Sequence, residues 1–115
     1  MSAYDGIRDE NHLNEILERP VYWELFTNKE VVDNLIHIHD HFGVVSKYPP
    51  NSVEDLAMIL ALIRPGKKHL IGQSREIIMR DIWIKEDGAF NFKKSHAISY
   101  AMAIIVQLHL FCDKN

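Results

Sequence analysis

Two short stretches set anion-binding chemistry at the ends of apolar runs. "RPGKKH" places Arg64, Lys67, Lys68 and His69 at the joint between two expected helices. "FKKSH" places Lys93, Lys94, Ser95 and His96 where the most apolar run of the chain begins. A helix N-terminus leaves backbone N–H groups unpaired and carries the positive end of the helix dipole, so it already favours an anion. The lysines add charge, and Ser95 adds a donor. The same serine is also an ordinary N-cap, which needs no ligand to explain it. Arg64, Lys67, Lys68, Lys93, Lys94, Ser95 and His96 are therefore the candidate phosphate or nucleic-acid contacts.

"HIHDH", residues 37–41, invites a metal instead. On a helix His37 and His41 share a face, while His39 points about 200° away from His37. Two ligands do not define a zinc site, and no CxxC or HExxH pattern supplies a third. The plainer expectation is histidines on the polar face of an amphipathic helix, with no metal and no cofactor. Nucleophile chemistry finds no support either. The chain has no GxSxG and no glycine-rich phosphate loop, and Cys112 has no base near it in sequence. No reaction is expected of this chain.

The elements that must carry these residues are mostly helical. Leu13, Ile16 and Leu17 have helical spacing over Asp9 to Arg19, and Pro20 ends that run. "VYWELF" reads as a short aromatic turn with Trp23 and Phe26 inward. Asn28 caps a helix expected from Lys29 to Phe42, with Val31, Leu35, Ile38 and Phe42 on its apolar side and Gly43 at its exit. "SKYPPN" is a loop, because paired prolines forbid helix. Ser52 caps "VEDLAMILALI", with the Asp55 carboxylate able to reach back, and Pro65-Gly66 stops it. A further helix is expected over His69 to Ile82, weakened at Gly72. "IWIKEDGAFNF" alternates around Asp87-Gly88, the signature of a short β-hairpin. Ser95 starts the last helix, ending near Cys112. The expected fold is mainly α: one compact domain over residues 1–115, with about five helices and one hairpin.

Composition and charge bound the function classes. At 115 residues, 47% hydrophobic and 25% charged, the chain can bury a core without metal or disulfide. One cysteine excludes an intrachain disulfide and fits a reducing cytoplasm. The polar, acidic N-terminus lacks the apolar core of a signal peptide. The apolar run Ala97 to Cys112 is short for a membrane span and holds Gln107 and His109, so no membrane is expected. The net charge of −3 is split unevenly. Residues 1–55 hold eleven acidic and four Lys/Arg side chains; residues 56–115 hold five and nine. A basic half can meet phosphate while the acidic half faces away.

The two basic junctions sit inside longer blocks. "NSVEDLAMILALIRPG", residues 51–66, resembles a segment in the fingers region of the catalytic alpha subunit of C-family bacterial replicative DNA polymerases. "FKKSHAISYA", residues 92–101, resembles that family's KSHA-containing segment further along the same region, and the order of the blocks is the same. Together they cover about a quarter of the chain. Lys67 replaces a proline and Lys93 an asparagine of the family pattern, and the 24 residues between Gly66 and Asn91 are a much shorter spacer than the family's. No counterpart of the palm aspartates that hold the catalytic metals is visible. The resemblance implies a reduced, non-catalytic fingers-like module, in which Arg64, Lys94, Ser95 and His96 would face phosphates. Its partners would be nucleic acid or another replication protein, and a phage-like origin suits a stand-alone piece of a polymerase. The alternative expectation is a protein-interaction module whose polymerase-like motifs serve only the fold, with Tyr22 or Trp23 docking a partner.

Overall fold

The computed structural model describes residues 6–84 and 94–114. The centre of the molecule is α4, Val53–Leu62, in which every residue from Asp55 to Leu62 is buried. A helix apolar on all sides has to be enclosed by others, and its neighbours supply that enclosure. Its most extensive partner is α6, Lys94–Lys114, which buries Ala97, Ala101, Ile104, Ile105, Val106 and Leu108.

Around this pair the chain is wound in short pieces. Asp9 accepts the His12 amide and starts α1, Glu10–Glu18, which packs on α6. A 3-10 turn over Trp23–Thr27 buries Phe26 and stacks Trp23 on it at 5.6 Å. Asn28 accepts the amides of Glu30 and Val31 and starts α2, Lys29–Val32. After a run of turns comes α3, Phe42–Lys47. Ser52 accepts the Asp55 amide at 3.1 Å and opens α4. Pro65 then begins a 3-10 turn over Pro65–Leu70, and Ser74 caps α5, Arg75–Asp81.

Four expectations change. The helix expected from Lys29 to Phe42 stops at Val32, where the amides of Asn34 and Leu35 bond back only three residues, to the carbonyls of Val31 and Val32, and further on His37 and Asp40 take left-handed backbone with φ of 68° and 67°. The Asn34 side chain bonds the Glu30 carbonyl at 2.8 Å, a local competitor of the helix ladder. Val31, Leu35 and Ile38 are still buried, so turns satisfy the apolar spacing that reads as a helix. Gly43 accordingly lies inside α3 and is not a helix exit.

The helix expected from His69 to Ile82 is split at Gly72, whose φ of 106° suits glycine. Tyr48 holds that turn, donating to the Gln73 carbonyl at 2.7 Å and accepting the Gly72 amide at 2.8 Å. The hairpin expected around Asp87-Gly88 lies outside the described residues. The described part of that stretch closes α5 instead: the amides of Ile82 and Ile84 bond the carbonyls of Ile78 and Asp81. No strand occurs among the described residues.

Finally, α6 is 21 residues long and already includes Lys94, so Ser95 stands within its first turn, not before it as a cap. At that length and composition the helix is long and apolar enough to cross a membrane, a test that the core helix of a soluble protein also passes.

Candidate anion-binding cleft

Arg64 follows the last turn of α4 in extended backbone, directly before Pro65. There it meets the turn that interrupts the expected second helix. His37, His41, Leu60, Ile63, Arg64 and Pro65 line a cleft of about 250 Å³. Three of the six carry a guanidinium or an imidazole, and none of these described lining residues is a carboxylate. The "RPG" and "HIHDH" stretches are thus brought together, a pairing that neither reveals alone. Lys68 and His69 are exposed on the following turn. Lys67 donates from Nζ to the Ile84 carbonyl at 3.0 Å, so one of its protons is already engaged.

His37 also touches the second of the two sequence blocks. Its ring meets Tyr100 edge-on, with centroids 4.7 Å apart and planes at 60°. Tyr100 is 40% exposed, which leaves an aromatic surface beside the cleft. The two blocks therefore meet through His37, with Arg64 on one side and Tyr100 on the other. The left-handed backbone at His37 and Asp40 is what aims this turn, and such strain persists only where surrounding structure holds it. Part of that hold comes from α6, where the Gln107 side-chain oxygen accepts the Ile36 amide.

The start of α6 behaves differently from its sequence reading. Lys94 pairs with Glu54 at 2.9 Å, and its Nζ lies 5.9 Å from the centroid of the Trp83 ring. Glu54 is in the first turn of α4 and Arg64 just past its end, about 15 Å apart along the helix axis at 1.5 Å per residue. The two basic junctions thus lie toward opposite ends of α4. Ser95 and His96 are exposed beside Lys94, and the Ser95 carbonyl accepts the Ser99 hydroxyl at 3.1 Å. Lys93 lies outside the described residues.

His37 and His41 do line one cleft, though through a turn and not a shared helix face. No group of three His, Cys, Asp or Glu side chains able to hold a metal occurs among the described residues.

Burial, then the Arg64 charge and then His39 push the His37 pKa below its ordinary 6.5. His109, buried in α6, is lowered as well, chiefly by burial and next by Arg19. In both cases the folded state refuses a proton that the unfolded chain accepts. Their contribution to stability is full above about pH 6.5 and is lost as pH falls toward the lower folded values. Each group can add a slope of at most about 1.4 kcal/mol per pH unit. Urea unfolding at neutral and mildly acidic pH should show that loss, and an unchanged midpoint would contradict it.

No protein-family model, curated protein or solved structure gives a match to this chain.

Proposed function

We propose that this chain is a non-catalytic, replication-associated cytoplasmic protein that binds nucleic-acid phosphates, centred on Arg64. The observation that carries the reading is the cleft of Arg64, His37 and His41, with no carboxylate among its described lining residues and continued by exposed Lys68 and His69. Guanidinium and imidazole donors in a recess suit phosphate oxygens, and the guanidinium adds planar, bidentate geometry. The resemblance of residues 51–66 and 92–101 to polymerase fingers supplies the replication context. Binding of this kind is electrostatic and reads the backbone more than the bases.

The described basic candidates are given unequal weight in this reading, by their place relative to the cleft. Arg64 and Lys68 are the principal contacts, with Lys67 as a neighbour. Lys94 contributes less, because Glu54 already offsets its charge. In a fluorescence-anisotropy titration with a labelled single strand, affinity should fall with salt, with a log–log slope of about −0.7 per phosphate engaged. Arg64→Ala should weaken binding by about tenfold, as for the loss of one charge-assisted contact, and Lys94→Ala by less than about twofold. No binding at low salt, or equal effects of the two variants, would overturn the assignment.

The acidic half favours the second reading, a protein-interaction module, through Tyr22, which is 62% exposed. Recovery of a specific partner that survives nuclease treatment and is lost in Tyr22→Ala would support that reading over the first.

A further inference from the structure

The cleft at Arg64 gathers its charge into one recess. His37 and His41 are half-buried and come from the turns that lead into α3, while Arg64 is exposed just past the end of α4. His41 stands at the N-cap of α3 yet makes no side-chain bond to that helix, so capping does not use its imidazole. The rest of the lining, Leu60, Ile63 and Pro65, is apolar, and beside apolar walls a charge is felt more strongly than in water. Pro65 also opens the 3-10 turn Pro65–Leu70. In 3-10 geometry residues three apart eclipse, so exposed Lys68 stands on the Pro65 side of that turn, at the edge of the cleft.

The second basic stretch does not extend this recess. Lys94 lies toward the other end of α4 and is paired with Glu54. A strand held along its backbone calls for a charged groove that tracks successive phosphates. Charge gathered at one recess suits a single phosphate group instead. The volume of about 250 Å³ agrees, since it lies below the roughly 300 Å³ at which pockets for whole drug-sized ligands begin.

Two kinds of phosphate compete for such a site. Within a strand each phosphodiester carries one negative charge. A terminal phosphomonoester carries about −1.5 to −2 at neutral pH and presents three strong acceptor oxygens. The cleft offers a guanidinium fork and one N–H from each neutral imidazole, a set of donors that the monoester uses more fully. The local field has the same sign: after burial, the charges of Arg64 and His39 are what lower the His37 pKa.

We propose that this cleft takes a terminal phosphomonoester, the phosphate at the end of a strand or on a mononucleotide, with Arg64, His37 and His41 on its oxygens and Lys68 at the adjoining edge. The proposal rests on the phosphate reading above and narrows it to one kind of phosphate.

Two 3′-labelled single strands of one sequence, one with a 5′-phosphate and one with a 5′-hydroxyl, test it by fluorescence anisotropy with the full chain. The phosphorylated strand should bind about tenfold more tightly. His41→Ser removes an imidazole and leaves a good N-cap residue at the start of α3, so it should shrink that preference while the chain stays folded. Arg64→Lys keeps the charge without the planar fork and should shrink it as well. A nucleoside 5′-monophosphate should displace the phosphorylated strand where the nucleoside does not. Weaker binding of that mononucleotide than of the strand assigns the site to strand ends, and equal binding assigns it to free nucleotides. Equal, salt-dependent binding of the two strands would overturn the proposal and leave phosphate binding at Arg64 standing. A preference that neither variant changes would place the monoester elsewhere and overturn it too. Absence of binding by either strand at low salt would overturn both readings.

Discussion

Replacing Arg75 with alanine is expected to lower the unfolding free energy by about 1–3 kcal/mol, the range for leaving a buried acceptor without its partner, since the guanidinium side of the pair is 39% exposed. The Asp55 side chain is 7% exposed, and its Oδ2 lies 2.7 Å from an Arg75 guanidinium nitrogen. The same oxygen accepts the Asn51 amide at 3.2 Å, and Arg75 also donates to the Pro49 carbonyl at 3.1 Å. Truncating Arg75 leaves a carboxylate in the interior with its countercharge gone, which is worse than removing the pair. Arg75→Ala/Asp55→Ala is therefore expected to be no less stable than Arg75→Ala alone. Urea midpoints with unchanged slope would report both. A loss below about 0.5 kcal/mol in Arg75→Ala, the range of ordinary surface changes, would show that the pair does not hold the loop.

That pair also divides the block of residues 51–66 into residues with different work. Asp55 of "SVED" is spent inside the protein, fastening Asn51 and α5, and Ser52 caps its own helix. Arg64, nine residues after Asp55, lines a cleft instead. A block can thus keep its spelling for folding at one end and present a charged side chain at the other, which is why resemblance alone does not decide between the two readings.

The parts of the fold legible in sequence are those specified within a few residues. The caps at Asn28 and Ser52, the stop at Pro65 and the span of α1 each depend on a side chain meeting its own neighbours. The helix expected through "HIHDH" fails because apolar spacing records which side chains go inward, not how the backbone delivers them. Turns with left-handed His37 and Asp40 deliver Leu35 and Ile38 just as a helix would.

The cleft was hidden for a related reason. Arg64 and His37 are each visible as chemistry in their own stretches, but their meeting with each other and with Tyr100 is set by tertiary packing, which no local pattern encodes. The same holds for Lys94: its lysine identity suggested a phosphate contact, while the Glu54 that offsets it comes from another helix.

Gln107→Leu carries the second large expectation, a loss of about 1–3 kcal/mol, the cost of leaving a backbone donor without its acceptor. Gln107 is the polar interruption in the apolar run of α6, and its side chain accepts the Ile36 amide. That bond crosses from α6 to the turn directly before His37, so it bears on the cleft as well as on stability. With the acceptor gone, the left-handed turn at His37 loses a fixed point, and single-strand binding should fall together with the urea midpoint. Gln107→Glu retains an oxygen for the same amide and should recover most of both losses at neutral pH. If Gln107→Leu lowers the midpoint yet leaves binding unchanged, the turn does not depend on α6 for its placement, and phosphate contact would rest on Arg64 and the Pro65–Leu70 turn alone.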